Sequence, residues 1–201
     1  MKVFLLNSED ILNTVENAKL FVGVAPFWYS KERGDETKLS DKQYEAKTKN
    51  VSMMCSNKAA CEMHILRQEI ARQVLGKGVD IFGRFNGGEY IKHKSMSLKD
   101  YRFQIVIEND IKPYYFTEKI TDCFAAHTIP IYVGASKIAE FFNEDGIIVL
   151  SKEEALDMEK VLVRLTEKEY ERRIPAIIDN YNKVLKYRSL NDYLYETLKK
   201  A

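Results

Sequence analysis

The residues best suited to chemistry lie in the stretch 101–134, which reads YRFQIVIENDIKPYYFTEKITDCFAAHTIPIYVG. The β-branched, apolar run at 103–107 predicts a strand buried on both faces, and Glu108 and Asn109 follow it directly. A helix is predicted after Thr117, whose hydroxyl suits an N-cap. In an open parallel sheet, ligands bind beyond the carboxyl ends of the strands, where the following helices begin. The stretch therefore predicts a ligand crevice lined by polar side chains.

A helix that begins near Glu118 would point its free backbone N–H groups into this crevice, and such a helix end attracts phosphate. Lys119 adds a positive charge in the first turn, where it opposes the helix dipole, so a bound anion would account for it. The Glu118 carboxylate is suited to accept hydrogen bonds from paired ribose hydroxyls, and Tyr114 and Tyr115 could stack on a base or line its pocket. Taken alone, Glu118 and Lys119 are also compatible with a solvated first turn.

Composition and missing motifs argue against several other classes. The 201 residues include 31 Lys and Arg and 30 Asp and Glu, and the net charge of +1 leaves no electrostatic footprint for nucleic acid. The GxGxxG and Walker A patterns are both absent from the sequence, so little supports a dinucleotide-binding or NTPase function. The three cysteines share no zinc-type spacing and are interpreted as free thiols.

Short apolar runs alternate with helical patterns from residue 50 onward, and this alternation predicts an α/β fold with a parallel, doubly wound sheet. Pro130 is expected to close the connection before a strand, and Pro175 to perturb a long helix. The predicted strands are 3–6, 19–24, 51–55, 79–82, 103–107, 131–133 and 146–150, and the predicted helices are 8–16, 62–75, one that starts after Thr117, 136–143, 152–165 and 167–187.

Residues 30–49 are almost wholly polar and are predicted to form a loop or a mobile linker. They suggest a boundary between a lead-in segment, 1–49, and an α/β domain, 50–201. The first apolar run is too short for a signal peptide, and no stretch approaches the ~20 apolar residues of a membrane span. A cytoplasmic location is therefore expected.

The run IEN, six intervening residues, FTEKI and then TIPIYVG resembles the donor-binding motif of the α-1,3-fucosyltransferases, glycosyltransferase family 10. Residues 55–84 resemble the block upstream of it in that family, and residues 1–28 resemble more weakly the lead-in to the donor domain. The resemblance implies a Rossmann-like sheet flanked by helices, as in the C-terminal half of a GT-B glycosyltransferase, that binds GDP-fucose without a metal. It explains Glu108 and Asn109 better than a metal motif formed with Asp110 does.

The resemblance also implies roles for single residues. Arg67 matches the family arginine that contacts the donor pyrophosphate, a task suited to the planar, bidentate guanidinium. Tyr115, Glu118 and Lys119 match residues that hold the nucleotide and its phosphates. Asn109 matches the asparagine of the E-N pair at the sugar end of the donor.

Other candidates have weaker support. Arg84 follows the strand DIFG and is expected at the same sheet edge, although it suits an ion pair in a loop equally well. His64 lies one turn before Arg67 and could approach the donor. His127 ends a helix, where a cation would complement the dipole. Trp28 and its aromatic neighbours are expected to pack, as are the tyrosines near the end of the chain.

The transfer implied by the resemblance is inverting, moving fucose from GDP-fucose to a glycan hydroxyl in an α-1,3-type linkage. Arg67, Lys119 and the helix N-terminus would stabilise the negative charge that grows on the leaving phosphate. In that family a second Rossmann-like domain binds the acceptor and supplies the presumed carboxylate base. This chain is expected to be too short to contain that domain, so no catalytic base is assigned and a partner chain or domain would provide the acceptor site.

Two alternatives to a fucosyltransferase stay open from the sequence. One is a transferase of the same fold that uses another nucleotide sugar, such as GDP-mannose. The other is a non-catalytic module that binds a nucleotide sugar.

Overall fold

Two parallel sheets form among residues 3–6, 18–21 and 26–199, the parts of the chain that the computed structural model describes. The smaller sheet pairs β1 (Val3–Leu6) with β2 (Ala18–Phe21). The larger has five strands in the order β4-β3-β5-β6-β7, every neighbouring pair parallel. Its strands are β3 (Lys49–Met54), β4 (Val79–Phe82), β5 (Tyr101–Ile107), β6 (Ile129–Val133) and β7 (Ile148–Val149).

Strand β5 lies at the centre of the larger sheet because its side chains are apolar on both faces. Phe103, Ile105 and Ile107 point into one hydrophobic cluster, and Val106 points into the other. The first cluster is covered by α1 (Glu62–Val74), the second by α2 (Glu118–Ala125). The predicted parallel α/β architecture is confirmed, with helices on both sides of the sheet.

The helices after the sheet are shorter than the sequence predicts. The predicted helix at 152–165 is two, α3 (Lys152–Ala155) and α4 (Met158–Leu162), and a capping box at Ser151 starts the first. The predicted helix at 167–187 is also two, α5 (Glu167–Arg172) and α6 (Ile174–Val184), with Pro175 in the first turn of the second. A further helix, α7 (Leu190–Lys199), follows.

The prediction that Pro130 closes the connection before a strand is wrong. Pro130 lies within β6, opposite Gln104 of β5. Strand β7 pairs only with Ile131 and Tyr132, so the position of Pro130 has no partner on that side. The missing N–H group of a proline is tolerated at such a place. The predicted strand at 146–150 is reduced to two residues, and 3-10 turns replace the predicted helix at 136–143.

The segment before the larger sheet packs against it. Phe27 and Tyr29 are fully buried in the cluster beneath α2, and Lys47, from the predicted linker, is buried as well. The boundary predicted between 49 and 50 falls inside β3. The predicted helix at 8–16 and residues 22–24 of the second predicted strand lie outside the described residues. Within the described part of the chain, no helix has the length and apolar character needed to cross a membrane.

Candidate functional site

A cleft of about 520 Å³ opens where β3, β4 and β5 end. Its wall includes Cys55 after β3, Gly83 after β4 and Ile107 at the end of β5. Gly83 has a φ of +99°, and a Cβ there would come within 2.4 Å of the Cys55 carbonyl oxygen, so only glycine fits the turn. Four of the seven residues predicted to bind the donor line this cleft, namely Arg67, Arg84, Glu118 and Lys119.

Arg67 reaches the cleft from α1, where the apolar stripe of that helix holds it against the sheet. Its guanidinium donates to the Ile107 carbonyl oxygen and, at 3.0 Å, to Oδ1 of Asn109. Burial lowers the pKa of Arg67, although the group stays charged at any ordinary pH. Arg67 and Asn109 thus meet at the end of the central strand.

Glu108 joins the end of β5 to the start of α2. It is fully buried, and it accepts hydrogen bonds from the Thr117 backbone N–H at 3.0 Å and the Thr117 hydroxyl at 2.7 Å. The ammonium of Lys119 donates to Oε2 of Glu108 at 3.3 Å. Burial raises the pKa of Glu108, and Lys119 and Thr117 oppose that shift. Glu108 therefore lies below the cleft and fixes the residues that line it.

Glu118, in the first turn of α2, lies between Lys119 of the same turn and Lys94 from an earlier part of the chain. Its Oε1 is 3.6 Å from the ammonium of Lys119 and 3.6 Å from that of Lys94. Burial alone would raise the pKa of Glu118, but the two lysines, together with hydrogen bonds at the start of α2, hold the pKa below its usual value. Glu118 is thus a carboxylate that accepts hydrogen bonds at neutral pH.

Lys94 and Asp122 were not among the predicted site residues. The Lys94 ammonium lies 2.7 Å from Oδ2 of the buried Asp122, while Oδ1 accepts hydrogen bonds from the backbone N–H groups of Trp28 and Tyr29. Asp122 and Glu118 raise the pKa of Lys94 even though burial acts in the other direction. One sequence signal could have identified Asp122: an acidic residue on the inner face of a helix, one turn after Glu118.

The remaining predicted residues are placed as follows. Tyr115 lies near the carboxylates of Glu108 and Glu118, and burial together with these charges raises the pKa of its hydroxyl. Tyr114 packs the edge of its ring against Phe141, at 6.1 Å between centroids. The exposed Arg84 places its guanidinium over the Tyr90 ring on the rim of the cleft.

His127 does not act as the cation that the sequence predicts. It is fully buried after α2 with a φ of +55°, and its ring stacks on Tyr181 at 4.2 Å between centroids. Burial, and then the charge of Lys47, lower the pKa of His127 to about 3, so the ring is neutral at physiological pH. His64 lies on α1 beside Arg67 and accepts a hydrogen bond from the Ala60 N–H at 3.3 Å.

The group of potential metal ligands in the described part of the chain does not include Glu108, although one member, Glu32, lines the cleft. Glu32, Asp35 and His93 place one ligand atom each within 4.8 Å of one another. Glu108 directs its carboxylate to Thr117 and Lys119 instead. The aromatic group around Trp28 agrees only in part with the packing prediction, because Phe27 and Tyr29 are buried while Trp28 is 47% exposed and lines the cleft.

Comparison with known proteins places this fold in a family. A 79-residue stretch is 37% identical to the α-(1,3)-fucosyltransferase FucT of Helicobacter pylori, covering 37% of this chain and 16% of that protein. A solved α1,3-fucosyltransferase with GDP-fucose matches with a TM-score of 0.52 and 25% identity, over 71% of this chain and 46% of that one. An α1,3-fucosyltransferase structure with GDP matches with the same TM-score at 24% identity.

This chain therefore spans less than half the length of these relatives. The match to the family itself is broader, because residues 44–173 correspond to the C-terminal domain of glycosyltransferase family 10 (fucosyltransferase). That range includes β3 to α5 and the cleft residues from Arg67 to Lys119. The chain belongs to glycosyltransferase family 10, the fucosyltransferases.

Proposed function

We propose that the cleft binds GDP-fucose and that the chain provides the donor site for fucosyl transfer to a glycan hydroxyl. The observation that carries the proposal is the convergence of Arg67, Glu118 and Lys119 on one cleft at the carboxyl end of the sheet. Two of these side chains are cations and the third is an ionised acceptor. This combination suits a diphosphate joined to a ribose.

Each side chain has a place in the proposed complex. Arg67 and Lys119 bind the pyrophosphate, aided by the free N–H groups at the start of α2. Glu118 accepts hydrogen bonds from the ribose hydroxyls, since two lysines keep its carboxylate ionised. Asn109, fixed by its hydrogen bond to Arg67, lies toward the sugar, and Tyr115 closes the pocket near Glu118.

The reaction follows from this arrangement. The acceptor oxygen bonds to the anomeric carbon of fucose as the bond from that carbon to the β-phosphate oxygen breaks, and the electron pair stays on the phosphate. Arg67 and Lys119 are already in position to stabilise that charge, so they favour the transition state over the ground state. The acceptor proton passes to a base that the proposal does not assign to the described residues.

We also propose that donor binding needs no divalent metal. The support lies in Glu108, the carboxylate nearest the strand end, whose two oxygens are engaged by Thr117 and Lys119. The cations of Arg67 and Lys119 can neutralise the diphosphate in place of an ion. Adding EDTA to the binding experiments below should therefore leave the GDP affinity unchanged within about twofold, a change near the 0.4 kcal/mol level.

Calorimetric titration of the full chain with GDP, GDP-fucose and GDP-mannose tests the proposal. We expect GDP and GDP-fucose to bind, and GDP-mannose to bind at least about tenfold more weakly than GDP-fucose, a difference of about 1.4 kcal/mol. Tighter binding of GDP-mannose would contradict fucose as the donor sugar. A failure of all three to bind would contradict the cleft as a donor site.

A product assay with an N-acetyllactosamine-type acceptor then separates catalysis from binding. Transfer of fucose by the chain, alone or with an added acceptor-domain partner, is the expected result. Donor binding without transfer in either case would leave a binding module and exclude the transferase.

A further inference from the structure

Trp28, the only tryptophan of the chain, is exposed between two buried aromatic residues. Phe27 and Tyr29 are each 0% exposed, whereas Trp28 is 47% exposed and lines the cleft. The two neighbours anchor the backbone on the core beneath α2, so the indole ring is held outward at the cleft wall. An exposed tryptophan between such anchors is suited to contact a ligand.

The orientation of Trp28 is fixed by Asp122 and Lys94, two residues that line the same cleft as the proposed nucleotide site. Its backbone N–H donates to Oδ1 of Asp122, a residue of α2. The ammonium of Lys94 lies over the ring, 4.5 Å from the centroid, and the same ammonium is 3.6 Å from Glu118. A single lysine therefore connects the indole ring to the carboxylate that we assign to the ribose.

The base of a nucleotide is bonded directly to its ribose, so the base must lie next to Glu118 if Glu118 binds the ribose hydroxyls. Of the two aromatic residues in the cleft wall, Trp28 is connected to Glu118 through Lys94, whereas Tyr90 lies beneath the guanidinium of Arg84. Tyr114, an earlier candidate for stacking, instead packs against Phe141. We propose that Trp28 stacks on the guanine base of the bound nucleotide. This inference rests on the proposed donor site and adds to it the residue that holds the base.

Trp28 also lies outside the part of the chain that matches the family, which begins at residue 44. The stacking residue would thus come from a segment that precedes the donor domain proper and is attached to it through Asp122. The expected consequence is that this segment contributes to nucleotide affinity as well as to packing. Stacking of a base on an aromatic side chain is worth about 1–3 kcal/mol, because it brings two π-faces together.

Because Trp28 is the only tryptophan, its fluorescence reports on the proposed stack directly. Titration of the full chain with GDP should quench the emission saturably, with the Kd that calorimetry gives. Inorganic pyrophosphate, which has no base, should bind more weakly and leave the emission unchanged. Binding of GDP in the calorimeter without any change in emission would overturn the stack while leaving the donor site standing, whereas absence of GDP binding would overturn both.

Variants provide a second measurement by calorimetry. Trp28→Ala should weaken GDP binding about tenfold, and Trp28→Phe should restore it to within about threefold of wild type, because a phenyl ring still stacks. Tyr195→Ala, a change at an exposed aromatic on α7, is the matched control and should alter the affinity by less than about twofold. Equal affinity of Trp28→Ala and wild type for GDP would contradict the proposal.

Discussion

The two ends of α2 bear opposite partial charges, and the protein satisfies them in different ways. At the N-terminal end, Glu118 and Lys119 lie on an open cleft, and each has a neighbouring group of opposite charge within 3.6 Å. At the C-terminal end, the buried ammonium of Lys47 donates to the Ala126 carbonyl oxygen at 2.6 Å and to the Leu98 carbonyl oxygen at 2.9 Å. One end of the helix faces a space for a ligand, and the other is closed by the chain itself.

At the closed end, the hydrogen bonds of the Lys47 ammonium within the described residues go only to carbonyl and hydroxyl oxygens and not to a carboxylate. Burial lowers the pKa of Lys47 to about 7, and burial with the nearby lysine lowers that of His127 to about 3. At the open end, by contrast, Asp122 and Glu118 raise the pKa of Lys94, and Lys94 and Lys119 lower that of Glu118, so both groups are held in their charged forms. Of these four groups, the two whose pKa values are lowered by burial, Lys47 and His127, lie at the closed end, and the two in contact with an opposite charge, Lys94 and Glu118, lie at the open end.

Replacing Lys47 should have the largest effect on the free energy of unfolding, and it tests the role of the closed end. Lys47→Met would leave the buried carbonyl oxygen of Ala126 without its Lys47 donor, at a cost of about 1–3 kcal/mol in the free energy of unfolding. The Leu98 carbonyl oxygen would still accept from the Tyr101 N–H and the Thr128 hydroxyl. Urea denaturation measures that loss. The folded fraction should bind GDP with an affinity within about twofold of wild type. A large loss of GDP affinity in the folded variant would show that the closed end also serves binding.

The second largest effect is expected in the pH dependence of stability, through His127 at the closed end. The folded pKa of His127 is about 3 and the ordinary value is 6.5, so the unfolded chain binds the proton first as the pH falls. Its contribution to stability is present above pH 6.5 and is lost as the pH falls toward 3, with a limiting slope of about 1.4 kcal/mol per pH unit.

His127→Phe keeps a ring beside Tyr44 and Tyr181 and removes the titrating group. Denaturation of both proteins between pH 7 and pH 5 should give a smaller loss of stability in the variant. Parallel pH profiles would mean that His127 is protonated in the folded protein.

Neutralising Glu118 tests whether the open end binds the ribose of the nucleotide. Glu118→Gln keeps the shape of the side chain, and Lys94 keeps Asp122 while Lys119 keeps Glu108 as partners. We expect about tenfold weaker binding of GDP, because hydrogen bonds from ribose hydroxyls to a charged acceptor are the stronger kind. The same variant should discriminate less than wild type between GDP and 2′-deoxy-GDP. Unchanged discrimination would place the ribose elsewhere.

The sequence predicted the strand, the N-cap and the start of the helix at the open end, because their signals are local. Glu108, Thr117 and Lys119 are separated by no more than 11 residues, and the strand, the cap and the helix between them each have their own sequence pattern. Chemistry at the start of α2 could therefore be inferred before any contact was known. The family resemblance extended the site to Arg67.

The rest could not be predicted, because the partners are far apart in the chain. Lys94 meets Asp122 across 28 residues, and Lys47 meets Ala126 across 79. A polar stretch such as 30–49 contains no periodic pattern that would mark one lysine as buried, and a histidine after a helix has the same sequence pattern whether it is charged or neutral. Tertiary packing alone decides both.

The measurement that tests the central claim most directly is GDP affinity set against thermal stability for Arg67→Met and Lys119→Met. Arg72→Met, an exposed arginine on the same helix as Arg67, serves as the control. We predict that each site variant weakens GDP binding by at least about tenfold, the scale of a charge-assisted hydrogen bond, while its melting temperature stays within a few degrees of the control. Melting temperatures that fall sharply while GDP affinity is retained would show that these cations hold the fold together and do not bind a diphosphate.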